Sequence, residues 1–307
     1  MRLLASAVMR GRSQAVMLAT ILAVLSWILP PVSVLSSAVV ALVTMRRGWL
    51  EGLLIMALGG LACSVLAWLT LGNAVIAVGV IVLMWLPVWL LAILLRAMRS
   101  LDVAVQGALL LGVVLILAQF MRSGDPAADW RLILEPFVES LVTSELIEET
   151  YQAELIDAMS RWMPGLVAAG FFIQSVVSIF LARWWQAILY NPGGFRQEFH
   201  RLRMHKGVAL VTLGVVAGSL LTSGDAVTWL DFLSTLLTAG WMVQGLALIH
   251  GLVARFKANA GWLVGTYVLL MFAPSYMIGL LAAVGFADTW FDFRARSGPG
   301  QGPRVVR

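Results

Sequence analysis

Charged residues are scarce: Asp, Glu, Lys and Arg make up 12% of the 307 residues, about half the share of an average soluble domain. There is one cysteine, Cys63, inside an apolar run, which excludes intrachain disulfides and clustered thiolate metal sites and reads as a small buried side chain. There are three histidines, His200, His205 and His250, too few and too poorly spaced for a zinc site. No G-x-x-x-x-G-K-[ST] loop, no strand-led G-x-G-x-x-G, no H-E-x-x-H and no calcium-loop spacing occurs, so no nucleotide, metal or other cofactor is expected and no enzymatic constellation appears. Any work the chain does on a solute must draw on an ion gradient or a partner protein.

What is present is apolar. Seven uncharged runs (13–45, 52–95, 103–121, 162–182, 207–224, 232–254 and 258–287) hold 188 residues. A spanning helix needs about 20 predominantly apolar residues. The fold class is therefore an all-α polytopic membrane bundle of about eight to ten transmembrane helices. This excludes a soluble enzyme and a nucleic-acid-binding domain. The net charge of +5 and pI near 10 reflect arginines in turns on the cytoplasmic side.

Charge placement orients the spans. Pro30-Pro31 stops a first helix, 14–29, and starts a second, 32–45. Read as a hairpin, this returns Arg46, Arg47, Arg96 and Arg99 to one side of the bilayer. Leu71-Gly72-Asn73 divides the next run into two helices. Residues 122–162 carry nine acids against three arginines, which places them outside. Ile147, Tyr151, Leu155 and Met159 recur every four positions there, as in an amphipathic surface helix. Residues 183–206, with Arg183, Arg196, Arg201, Arg203 and Lys206 against Glu198, form a basic cytoplasmic loop. Two helices, 207–223 and about 230–253, follow, joined outside through Asp225. Splitting 258–287 at Pro274 gives ten segments with both termini in the cytoplasm; one continuous helix gives nine with the C-terminus outside. The expected organisation is one membrane-embedded unit over 1–294, in a bacterial cytoplasmic membrane, with a disordered tail over 295–307.

Ionisable residues inside a bilayer are functional candidates because they are expensive there. Only Asp231 and His250 qualify, each near a helix end. Gln119, Gln174 and Gln244, with Tyr267 and Tyr276, are neutral groups suited to interhelical bonds or to a binding pocket. Gly48/Gly52, Gly214/Gly218 and Gly261/Gly265 have small-xxx-small spacing, the signature of close helix packing. Trp49, Trp162, Trp184, Trp185, Trp262 and Trp290 fall at expected helix ends, as interfacial anchors do.

Three stretches carry a family resemblance: Trp27–Arg47-Gly48 at the entry, Gln244-Gly245-Leu246-Ala247, and Gly285-Phe286-Ala287-Asp288-Thr289-Trp290-Phe291-Asp292-Phe293-Arg294. They resemble the YybS-like family of uncharacterised bacterial membrane proteins. That family is similar in N-terminal hydropathy to the substrate-binding components of energy-coupling-factor transporters, and this chain has about four further helices. The resemblance implies a substrate-binding or transport component that docks on a coupling module, with a small-molecule ligand; it assigns no ligand residue. The alternative is a non-transport scaffold or assembly factor. In the last stretch Asp288, Trp290, Asp292 and Arg294 are candidates: Asp288 pairs with Arg294, or the acids hold a loop arginine. The lipid bilayer is the one certain partner, and no nucleic acid is expected.

Overall fold

A computed structural model describes residues 1–221 and 229–296, all of whose regular structure is helical. The helices are α1 (Arg2–Arg10), α2 (Arg12–Leu25), α3 (Val32–Arg47), α4 (Trp49–Leu71), α5 (Val75–Gly79), a π-helical segment (Val80–Trp85), α6 (Leu86–Met98), α7 (Leu101–Ser123), α8 (Pro126–Thr143), α9 (Gln152–Tyr190), α10 (Gly194–Arg201), α11 (Lys206–Leu221), α12 (Trp229–Arg255), α13 (Gly261–Phe272), α14 (Pro274–Phe291) and α15 (Phe293–Arg296). The expected outer loop at Asp225 and the tail beyond Arg296 lie outside the described residues.

Five stretches are long and apolar enough to cross a membrane: Trp49–Thr70, Ala77–Met98, Leu101–Ser123, Glu149–Tyr190 and Trp229–Arg255. A sixth follows if Gly194–Arg201 and Lys206–Leu221, bent by 46°, are counted as one. The eight to ten expected segments thus resolve into five or six full-length helices among the described residues, with the others short. Both sequence breaks are real: Pro30-Pro31 separates α2 from α3, and α13 and α14 meet at Ala273 before Pro274. The Gly72 turn has φ +66°, a left-handed conformation that glycine adopts at no steric cost.

Two helices form the axis. α3 is buried from Ser36 to Met45 without interruption, so it is enclosed on all faces by α2, α4, α6 and α9. Its hydroxyls satisfy polar groups that apolar neighbours cannot. Ser36 donates to the Ala19 carbonyl (2.8 Å) and accepts from the Trp85 indole (3.0 Å). Ser37 donates to the Met84 carbonyl (3.2 Å) in the π-helical segment, where the widened helix disturbs the usual ladder. α9 runs 39 residues, ~58 Å at 1.5 Å per residue, nearly twice a hydrocarbon core. It links the acidic segment to the basic one.

The C-terminal half is built on α12 and α14. A Cβ on Gly245 would lie 2.1 Å from the Leu281 carbonyl oxygen, and one on Gly285 would lie 2.2 Å from the Trp241 carbonyl oxygen. These glycines let the two backbones touch. The small-residue pairs expected from spacing are borne out in part: a Cβ on Gly52 would lie 2.0 Å from the Thr44 hydroxyl oxygen of α3 and one on Gly218 would lie 2.9 Å from Leu230, whereas a Cβ on Gly214 or Gly265 meets nothing within 4 Å. Spacing within one helix does not say which face meets another.

Three further expectations are corrected. The acidic segment is not one amphipathic helix carrying Ile147, Tyr151, Leu155 and Met159. α8 ends at Thr143, and Glu145 takes φ 58° in the turn that follows. Thr143 and Ser144 hydroxyls bond back to the carbonyls of Glu139 and Ser140, closing α8 so that Leu134 and Val138 are buried. The segment is therefore a hairpin of α8 against the first turns of α9. The basic segment 183–206 is largely helical, shared between α9 and α10. Trp185 is wholly buried, whereas Trp49, Trp162, Trp184, Trp262 and Trp290 are exposed. Beyond these three, α1 is a separate short helix whose Ala5 and Val8 are buried.

Gly245→Ala or Gly285→Ala should force α12 and α14 apart and cost about 1–3 kcal/mol, read as a lowered melting temperature in detergent. Gly265→Ala should leave that temperature unchanged or slightly raised.

Candidate functional site

The candidates gather at the two ends of the bundle. At the end carrying the acidic hairpin, α3, the π-helical segment, α7, α8 and α9 surround a crevice of about 610 Å³. Its walls are mainly apolar, from Leu83, Met84, Leu115, Ile133, Val167 and Phe171. Ser33, Gln119, Trp130 and Gln174 supply the polar groups, with Arg122 among the lining residues.

Local sequence fixes α8 over this crevice. Gly124 ends α7 at φ +77°, Asp125 caps α8 by accepting from the Ala127 and Ala128 amides, and Pro126 occupies the first turn. Arg122 pairs with Asp129 at 2.7 Å. Asp157 on α9 pairs with Arg131 on α8 and with Arg161. The Ser123 hydroxyl and then the Arg122 guanidinium hold the Asp129 carboxyl below its ordinary range. All these pairs are at least partly exposed, and such pairs contribute about 0–1 kcal/mol each. The ion pairs therefore add little, and α8 is held on α9 chiefly by the burial of Leu134 and Val138.

The carboxamides inside are incompletely used. Gln174 accepts from Ser33 (3.1 Å), while its Nε2 is buried without a hydrogen-bond partner. Gln119 donates to the Pro164 carbonyl and accepts from the Trp130 indole, both at 3.4 Å, beyond the usual length for such bonds. An unpaired buried donor costs about 1–3 kcal/mol. Gln174 Nε2 is thus the one unpaired buried donor among the described residues that line this crevice. Gly170 borders it, and a Cβ there would meet nothing within 4 Å.

The opposite end gathers Gln244, Asp288, Asp292 and Arg294. Gln244, wholly buried, accepts from the Met204 amide (2.7 Å) and donates to the Gly285 carbonyl (2.7 Å) and the Thr289 hydroxyl (3.1 Å). Its amide is engaged at both ends and ties α12, α14 and the 202–205 turn together. Asp288 is also wholly buried. It lies 3.4 Å from Arg294 and 3.6 Å from Arg203, and accepts from the Phe293 amide at 3.0 Å. Arg203 reaches Asp292 at 2.7 Å, and its amide donates to Asp102 at 2.9 Å. Arg294 donates to the His200 carbonyl at 2.9 Å. Both expected pairings of Asp288 thus occur together, around an arginine, Arg203, not among the candidates. Its signal was present as a basic residue in 183–206, but sequence alone gave no reason to choose it over its neighbours. The Arg203 guanidinium holds the Asp292 carboxyl below its usual range, and burial pushes the Arg294 guanidinium down.

The remaining candidates stand apart. Trp290 is partly exposed, with the Lys206 ammonium 5.9 Å from its ring centroid. Asp231 lies in the first turn of α12. His250 lies near the other end of α12, with Nδ1 2.8 Å from the Leu246 carbonyl and Nε2 3.4 Å from the Tyr267 hydroxyl. Among the described residues no group of three or more His, Cys, Asp or Glu is placed to hold a metal.

Asp288→Ala should leave two arginines facing each other at a buried site and cost about 3–5 kcal/mol, measured by thermal unfolding. Asp292 ionises more readily folded than unfolded, so its contribution is complete above the unfolded carboxyl range near pH 4 and fades as pH falls through the lower folded value. Melting temperature should be flat in this group from about pH 8 to 5 and fall below about pH 4, with a smaller fall in Asp292→Asn.

Residues 138–289 match the model of a family described as "Predicted membrane protein (DUF2232)". The match runs from α8 through α14 and contains Gln174, Asp231, Gln244, His250 and Asp288; Gln119, Trp290, Asp292 and Arg294 lie outside it. No curated protein and no solved structure matches the chain.

Proposed function

We propose that this multipass membrane protein is a non-enzymatic binding component that takes a small, largely apolar molecule bearing a hydrogen-bond acceptor into the crevice beneath α8. The observation that carries this reading is the buried, unpartnered Nε2 of Gln174 beside a space of about 610 Å³. Pockets for small ligands are mostly apolar with a few placed polar groups, in a range of about 300–1,000 Å³. Gln119 and Gln174 stand on neighbouring walls and supply those groups, and α8 closes over them. The YybS-like family that the entry and C-terminal stretches resemble is in turn similar in N-terminal hydropathy to substrate-binding components of this kind. Movement of a bound solute would then draw on an ion gradient or on a partner that supplies energy, because the sequence has no phosphate-binding loop. On this reading the basic end faces the cytoplasm of a bacterial inner membrane and the α8 hairpin faces outward.

The alternative, a scaffold or assembly factor, draws on α8 itself, where Leu132, Ile133 and Phe137 are exposed. A thermal-shift panel of neutral metabolites and vitamins separates the two. At about 100 times Kd a ligand stabilises by about 2.7 kcal/mol, and at least one compound should do so. Gly170→Leu fills the crevice without a backbone clash and should abolish the shift while leaving ligand-free stability intact. Silence across the panel, with other proteins retained through purification, would establish the scaffold reading instead.

A further inference from the structure

A second concavity, of about 1090 Å³, lies at the basic end between the last turns of α9, α10, the last turns of α12, and α13. Its charge is one-sided. Arg2, Arg196 and Lys257 line it, together with His200 and His250, and no aspartate or glutamate does. Elsewhere at this end arginines meet carboxylates: Arg12 with Glu51, Arg183 with Glu198, Arg203 with Asp292. Among the described residues Arg2, Arg196 and Lys257 make no ion pair. Three cations thus converge on one hollow without an anion from the chain. The first turn of α10, which reaches the hollow through Gly193, Phe195 and Arg196, has no side-chain cap, so its amide end adds positive potential.

The floor has different chemistry. Phe180, Phe195 and Phe199 pack ring against ring, with centroids 5.4–5.9 Å apart. His250 stands edge-on to Phe199 and to Tyr267. The apolar lining continues to Val177, Trp184 and Tyr267, which are exposed on the outer faces of α9 and α13. The hollow is open to the surroundings of these apolar helices and cationic at its rim.

From this juxtaposition we infer that the hollow is a binding site for an anionic phospholipid. The phosphate sits among Arg2, Arg196 and Lys257, and the first acyl carbons lie on the phenylalanine floor. A free phosphate compound would leave the aromatic floor unused, and a zwitterionic lipid would bring its own cation to the cationic rim. A volume of about 1090 Å³ accommodates a headgroup with the upper part of its chains. Cations at a membrane surface contribute about 1 kcal/mol each toward anionic lipid, which corresponds to about fivefold in affinity.

The test uses the full chain, delipidated in a neutral detergent, with phosphatidylglycerol, phosphatidylcholine or soluble glycerol phosphate added, read by native mass spectrometry and thermal shift. Phosphatidylglycerol should remain bound and raise the melting temperature, and the other two should not. The Arg196→Gln/Lys257→Gln double variant should bind phosphatidylglycerol about 25-fold more weakly, with an unchanged lipid-free melting temperature. Arg10→Gln, at the same end but outside the hollow, should bind normally. If the double variant does not fold, Arg196→Gln alone carries the test with about a fivefold loss. Equal retention of phosphatidylcholine, undiminished binding in the Arg196 variants, or a full shift from glycerol phosphate alone would overturn the assignment.

Discussion

Every polar group that this chain holds away from its charged ends must find its partner within the chain, because hydrocarbon offers none. That constraint explains the placement of the interior hydroxyls and carboxamides. Ser36 and Ser37 of α3 take up the Trp85 indole and the Met84 carbonyl where the π-helical segment departs from regular helix. Gln244 spends both ends of its amide on two other pieces of chain, the 202–205 turn and α14. Among the described residues four interior groups are left without a partner: the Thr20 and Ser175 hydroxyls, the Trp185 indole, and the nitrogen of Gln174, whose oxygen is satisfied by Ser33 and which lies on the wall of a cavity. The same accounting that makes Gln244 structural makes Gln174 a binding candidate.

The two ends of the bundle use charge differently. At the basic end Asp288 is fully enclosed and held by Arg203 and Arg294, and Asp292 and Asp102 extend the network to α7. Breaking a buried network is costly, so this end is fixed. At the other end, the pairs that fasten α8 are partly exposed and therefore weak. Burial of Leu134 and Val138 against α9, more than charge, keeps α8 in place. The cationic hollow beside α10 belongs to the fixed end, where a bound lipid would meet a preformed site.

Much of the fold was legible because membrane insertion depends on composition and length. The breaks at Pro30-Pro31, Gly72 and Pro274 came from residues whose backbone chemistry forbids continuation or permits a turn. The α8 hairpin was not legible, because the four-residue apolar repeat across 147–159 falls in the turn and the start of α9 and carries nothing about α8, which ends before it at Thr143. The candidate site was half legible. Gln119 and Gln174 stand out as amides in apolar runs, yet nothing in their spacing says that they share a cavity, while Gln244, of the same type, is wholly spoken for.

The sequence by itself determined that this is an all-helical membrane protein with its charges at the ends of the bundle, since removing charge from hydrocarbon is a demand on composition. Only the tertiary structure decided which helices touch at Gly245 and Gly285, which arginine meets Asp288, and which glutamine is left with a free donor. Those outcomes depend on the faces and depths at which distant segments meet, and no local pattern of residues carries that information.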